Sequence, residues 1–153
     1  MKRLLGIDFG DARIGVAGSD EIGLMAHPVE TVQVRQVADP AARIAEICAQ
    51  RRVGQVVVGM PYRMDGTPGT AAEKVTRFIE KLRAALPAEI EIVTHDERLT
   101  TVEAQAQLHA AGRNVKNSRD VIDQAAAVVI LQHYMDSLAT QTQEQPPLAG
   151  ADD

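Results

Sequence analysis

The chain has 153 residues, 45% of them hydrophobic, with 16 basic and 21 acidic side chains and a formal charge of −5. That length supports one domain with a full core rather than two sizeable lobes, and the acidic balance speaks against a simple polyanion-binding surface, which carries a basic excess. The lone Cys48 cannot close an internal disulfide, no leader-like segment opens the chain, and the apolar run at 121–131 is too short to span a bilayer, so a cytoplasmic protein is expected.

In chain order, residues 3–9, 14–19 and 29–34 read as three strands joined by short turns rich in Gly, Asp and Pro, and such short links favour antiparallel pairing. A helix is expected over 40–52, with Asp39 as its N-cap, Pro40 at its first position and Ala41, Ile44, Ile47 and Cys48 on one face. The β-branched run 55–59 predicts a strand covered on both sides. A helix over 71–86 follows, with Val75, Phe78, Ile79 and Leu82 inward, and then a strand over 90–97. Thr100 and Glu103 form a capping box for a helix ending near Gly112, and Asn117 or Ser118 caps a last helix reaching about Leu138.

The fold class is therefore α/β: a mixed sheet that starts as an antiparallel three-strand meander, continues with parallel crossover strands, and is flanked by helices. Residues 1–138 form the single domain, and the polar, proline-containing tail 139–153 has the composition of a disordered segment. In sheets of this kind ligands gather beyond the carboxyl ends of parallel strands, where Gly59 and Glu97 fall.

Three acids interrupt apolar or structured segments where packing would not ask for them: Asp8 in Leu4-Leu5-Gly6-Ile7-Asp8-Phe9-Gly10, Glu97 closing the strand from Ile90, and Asp123 in the last helix. An ionised carboxylate taken out of water costs several kcal/mol unless it meets a cation, a metal or a hydrogen-bonding ligand. Bland readings exist for each: Asp8 could accept from the turn at 10–12, Glu97 could pair with Arg98, and Asp123 could complement the helix dipole, although Asp120 does that better. Brought together, the three form a hard oxygen site for Mg²⁺ or Mn²⁺, suited to phosphodiester hydrolysis. Asp96 complicates the choice, because a strand shifted by one residue exchanges the faces of Asp96 and Glu97.

Other chemistries find little support. The segment 59–66 lacks the Lys-Ser/Thr ending of a P-loop, no GxGxxG is present, His27, His95, His109 and His133 have no metal-ligand spacing, and no Ser or Cys sits beside a base. The basic stretch 113–119, which includes Lys116, is either a solvated loop or a phosphate contact ahead of the helix that carries Asp123.

Four linked motifs resemble the YqgF (RuvX) family over roughly residues 3–138: Leu5-Gly6-Ile7-Asp8-Phe9-Gly10 with Arg13-Ile14-Gly15-Val16-Ala17, Val57-Val58-Gly59-Met60-Pro61 with Met64-Asp65-Gly66-Thr67, Asp96-Glu97-Arg98-Leu99-Thr100-Thr101, and Ile122-Asp123-Gln124-Ala125-Ala126-Ala127. The resemblance implies an RNase H-like fold and a metal-dependent nuclease acting on the 5′ end of pre-16S rRNA, with resolution of branched DNA as the alternative. It implies Asp8, Glu97 and Asp123 as catalytic metal ligands. Arg13 and the loop with Gly59, Pro61, Asp65 and Gly66 would face substrate, Arg98, Thr100 and Thr101 would support Glu97, and Lys116 would join the substrate contacts. Asp11 adds a negative charge where family members often carry a neutral residue. The expected partner is nucleic acid, precursor rRNA or branched DNA, with no membrane involved and the protein a monomer or a homodimer. Two rival readings are an actin-like ATPase or sugar kinase, which a one-lobed chain disfavours, and a ribosome-assembly module without catalysis.

Overall fold

The computed structural model describes residues 2–100 and 119–144, with side chains at 2–98 and 124–140. Five strands, β1 (Arg3–Phe9), β2 (Arg13–Ser19), β3 (Ala26–Gln33), β4 (Val53–Met60) and β5 (Glu91–Asp96), form one sheet in the order β3-β2-β1-β4-β5. The first three are antiparallel neighbours, and β4 and β5 add on parallel to β1, which makes the expected mixed sheet. Among the described residues the helices are α1 (Pro40–Arg51), α2 (Thr70–Ala85) and α3 (Arg119–Glu144), and a short 3-10 turn spans Glu97–Thr100.

Alternation along the strands sorts the core into two layers. Leu5, Ile7, Ile14, Val16, Val56 and Val58 pack beneath α1 and α2, while Leu4, Ala17 and Val57 meet Ala127, Ile130, Leu131 and Met135 of α3. Fully burying a Leu, Ile, Val or Met side chain in these layers contributes about 1.5–3 kcal/mol. Asp39 caps α1 by accepting from the amides of Ala41 and Ala42, with Pro40 at the helix start as its sequence predicts. Arg43 of α1 bonds Glu30 of β3 through two nitrogens and fixes that helix to the sheet edge.

Several boundaries differ from expectation. Strand β3 starts at Ala26 rather than Val29, because pairing with β2 continues past a register shift between Val16 and Ala17 and so carries Pro28 on an edge strand, where its missing N–H is tolerated. Strand β5 ends at Asp96, so Glu97 opens the 3-10 turn instead of closing the strand. Helix α3 continues through Glu144 rather than stopping near Leu138, since the segment that follows Leu138 contains no helix breaker before Pro146. The helix expected between Thr100 and Gly112, its capping box, the cap at 117 or 118, and the last residues of the tail lie outside the described residues.

Candidate functional site

The site is organised by helix α3, which runs antiparallel to β1. Two hydrogen bonds set its direction: Gln124 Nε2 donates to Thr31 Oγ1 at 3.0 Å, and the Ala26 amide donates to Gln132 Oε1 at 2.8 Å. Thr31 pairs with Gly15 and Gly15 with Asp8, so Gln124 lies over the row of the sheet that contains Asp8. The start of α3 therefore meets the carboxyl end of β1.

Gly6 is what lets the helix come so close. A Cβ on Gly6 would stand 2.7 Å from the Leu131 Cβ and 3.1 Å from the Ala127 carbonyl oxygen. Asp8 lies two residues further along the strand on the same face, about 7 Å away, and Asp123 lies four residues, about 6 Å, ahead of Ala127 along the helix. The backbone thus carries Asp123 toward Asp8; its side chain is outside the described residues.

Glu97 reaches the same face from the other side. A Cβ on Gly59 would stand 2.8 Å from Glu97 Oε2 and 2.6 Å from the Ile130 Cδ1, so the carboxylate rests over a residue that has no side chain to displace it. Strands β1 and β4 pair at Ile7 and Val58, and one step further brings Asp8 beside Gly59 on a neighbouring strand about 5 Å away. Two acids remote in sequence, Asp8 and Glu97, converge in this way on one carboxyl edge of the sheet, under the start of α3.

The register question between Asp96 and Glu97 has a geometric answer. Glu97 follows Val93 and His95 on the α3 side, where His95 Nε2 and His133 Nδ1 are 2.9 Å apart. Asp96 falls on the opposite side and is held by Arg98, whose Nε and Nη2 lie 3.0 and 2.6 Å from Asp96 Oδ2. Their electrostatics diverge accordingly. Hydrogen bonds from Arg98 lower the Asp96 carboxyl below its ordinary value, whereas burial, and then the charge of Asp96, raises that of Glu97. Asp96 is an ion-pair partner; Glu97 is a carboxylate in a place that disfavours its charge.

Arg98 also organises the loop after β4. Its guanidinium sits 5.7 Å from the Tyr62 ring centroid, contacts the Met64 carbonyl at 3.5 Å, and comes within 3.2 Å of where a Cβ on Gly66 would be. Gly66 has φ +89°, open to glycine at little cost, and Asp65 fastens the turn by accepting from the Thr67 amide and hydroxyl at 2.9 and 2.6 Å. Pro61 is half-buried at the base of this loop, and Asp65 is exposed at its tip. Arg13 opens β2 on the same face as Gly15 and Ala17, the side that α3 covers. Thr101 and Lys116 lie outside the described residues, as does the side chain of Thr100. Asp11 is not a bare charge beside the site: Lys74 of α2 pairs with it at 2.8 Å.

Sequence reasoning missed the His95–His133 contact and the Asp11–Lys74 pair, and the spacing of these residues in the chain gives no signal for either. Among the described side chains no three His, Cys, Asp or Glu residues form a metal-holding group, a set that does not include Asp123. Donor chemistry nonetheless fits a hard divalent ion: Asp8 and Glu97 offer carboxylate oxygens, and a cation would offset the burial that opposes Glu97's charge.

Comparison with known proteins places this geometry in context. The chain matches the RuvX family model, described as Holliday junction resolvase, over residues 2–137. A protein of Mycobacterium leprae named "Putative pre-16S rRNA nuclease" is 45% identical over 152 residues, covering 97% of this chain and 82% of that protein. Its namesake from Streptomyces coelicolor is 44% identical over 151 residues, covering 98% of this chain and 88% of its own length. Among solved structures, Thermus thermophilus RuvC bound to a Holliday junction superposes with a TM-score of 0.57 at 17% identity, over 97% of this chain and 100% of that one. Fowlpox virus resolvase with Holliday junction DNA gives a TM-score of 0.56 at 12% identity, over 89% of this chain and 98% of the other. At such identities these two likenesses speak to the fold alone, which is that of the RNase H-like resolvases. No helix among the described residues is long and apolar enough to cross a membrane.

Proposed function

The chain belongs to the RuvX family, and from that premise we propose that it is a nuclease hydrolysing phosphodiester bonds in precursor 16S rRNA, with Asp8, Glu97 and Asp123 as the acids of its active site. The observation that carries this reading is the placement of the Glu97 carboxylate over Gly59, one strand from Asp8 on the same face, beneath the start of the helix that contains Asp123. Asp8 and Glu97, with Asp123, would hold Mg²⁺ or Mn²⁺. When bound, such an ion polarises a phosphoryl oxygen and activates water near neutral pH.

The chain's own groups do the rest. Gly6 lets α3 close against the sheet, and Gly59 leaves room for the Glu97 carboxylate beside Ile130. Arg98, tied to Asp96, holds the 61–67 loop beside Glu97, where Pro61, Asp65 and Gly66 shape the approach of the substrate strand. Arg13 supplies a cation on the α3 side of β2 for phosphate. Thr100, Thr101 and Lys116 are further substrate contacts in our reading, and the protein works in the cytoplasm, where its substrate is made.

Resolution of branched DNA is the second reading, favoured by the family description and by the resolvase fold. Matched precursor-rRNA and four-way-junction substrates, incubated with purified protein and Mn²⁺ or Mg²⁺, decide between them. Cleavage of the RNA alone, lost in Asp8→Asn, supports the first reading; cleavage of the junction alone supports the second. If neither is cut and Asp8→Asn still binds precursor rRNA and sustains growth, the protein is an assembly module and the nuclease reading is wrong.

A further inference from the structure

On the sheet face opposite α3, a cleft of about 600 Å³ opens between the ends of β1 and β2 and the helices α1 and α2. Its apolar surface includes Ile14, Val34 and two phenylalanines, Phe9 and Phe78, whose ring centroids are 4.8 Å apart at an interplanar angle of 31°. Phe78 is buried, and Phe9 remains partly open to the cleft. Helix α2 forms one wall and contributes Lys74, Arg77 and Lys81, at the three- and four-residue spacing that puts side chains on one side of a helix.

The two acids at the cleft are already engaged. Asp11 pairs with Lys74 at 2.8 Å, and Asp39 accepts from the amides of Ala41 and Ala42 at 3.1 and 3.4 Å. Arg77 and Lys81 are exposed, and among the described residues neither has an ion-pair partner. Aromatic surface backed by a second ring, with two uncommitted cations at its rim, matches a nucleotide chain: a base offers a π-face and each phosphate a negative charge.

Position strengthens the match. Phe9 follows Asp8 in β1, so the two side chains fall on opposite faces of the sheet while their backbones are about 3.8 Å apart. A strand leaving the acids has only to round the turn at Gly10 and Asp11 to enter the cleft. Building on the nuclease reading, we propose that this cleft holds a single-stranded segment of the nucleic-acid substrate flanking the bond to be cut, with a base against Phe9 and phosphates at Arg77 and Lys81.

Fluorescence anisotropy on the full chain tests this with two labelled RNAs, a blunt duplex and the same duplex carrying a 5′ single-stranded extension of about six nucleotides. The extension is expected to tighten binding by about tenfold in the parent, and the R77Q/K81Q variant is expected to lose that gain while binding the blunt duplex within about threefold of the parent. The salt slope for the extended RNA should fall by about 1.4, the share of two single-strand phosphate contacts. Equal losses on both RNAs, or no loss on either, overturn the proposal and leave the nuclease reading standing. Displacement of the extension by a free nucleoside monophosphate at matching concentration also overturns it, in favour of a small-molecule pocket. A parent that binds neither RNA removes both.

Discussion

Asp96 and Glu97 are adjacent and chemically alike, yet Arg98 stabilises the charge of one while burial works against that of the other. Environments that push two neighbouring acids apart are how a fold assigns them different work. Replacing a group that acts on the reacting centre costs at least about 100-fold in rate, so Asp8→Asn, Glu97→Gln and Asp123→Asn should each reduce cleavage by that factor or more. Thermal unfolding of the metal-free variants should be unchanged or shifted upward, because in the proposed site each would remove one of several neighbouring like charges. A variant that lost activity by unfolding would show as a lowered midpoint instead. At this scale the sequence was most informative about Asp8, since a carboxylate in an apolar strand has few innocent explanations. It was least informative for Asp96 against Glu97, where a single residue of register decides which face each takes and only the sheet partners fix it.

Between elements, the decisive contacts are made by residues that have no side chain. Gly59→Ala would force a methyl to within 2.6 Å of Ile130 and 2.8 Å of Glu97. Overpacking of this kind costs about 1–3 kcal/mol, which a denaturant midpoint reads directly, and cleavage should fall as well because the displaced group is Glu97. The join between β3 and α1 gives a pH prediction. His27 Nε2 lies 2.6 Å from the Arg51 guanidinium; burial first, and Arg51 second, lower its pKa below the ordinary 6.5, with Asp20 pulling the other way. The unfolded chain therefore takes up this proton at higher pH than the folded one, and stability is lost as pH falls below 6.5 through the lowered value. His27→Gln should lose less stability than the parent in melts taken from about pH 7 to pH 5, with a residual slope from His95, whose pKa burial also lowers. Element types were legible because hydrophobic period and caps act locally, as at Asp39-Pro40 and in the run 55–59. Element ends such as Ala26 and Glu144 were not, because pairing and packing with distant segments set them.

For the molecule as a whole, β1 is the central strand and joins the local meander on one side to the crossover strands on the other. If the acids at its end hold an ion, folding and ion binding are linked, and an ion present at 100 times its dissociation constant adds about 2.7 kcal/mol. Mn²⁺ or Mg²⁺ should therefore raise the melting midpoint of the parent and leave that of Asp8→Asn in place, a readout that needs no substrate. Topology was legible from the lengths of the connections, short ones for the meander and helical ones for the crossovers. The closeness of α3 to β1 was not, because it depends on Gly6 meeting residues more than a hundred positions away.

That closure by the final helix bears on how the protein is made. Among the described residues, the buried side chains that close over Leu4, Ala17 and Val57 lie between Ala127 and Met135 of α3. At roughly 5–20 residues per second, synthesis of the stretch between Val57 and Ala127 takes roughly 4–14 seconds. During that interval the nascent chain exposes an apolar sheet face, and a chaperone that recognises such surfaces would have its best opportunity there.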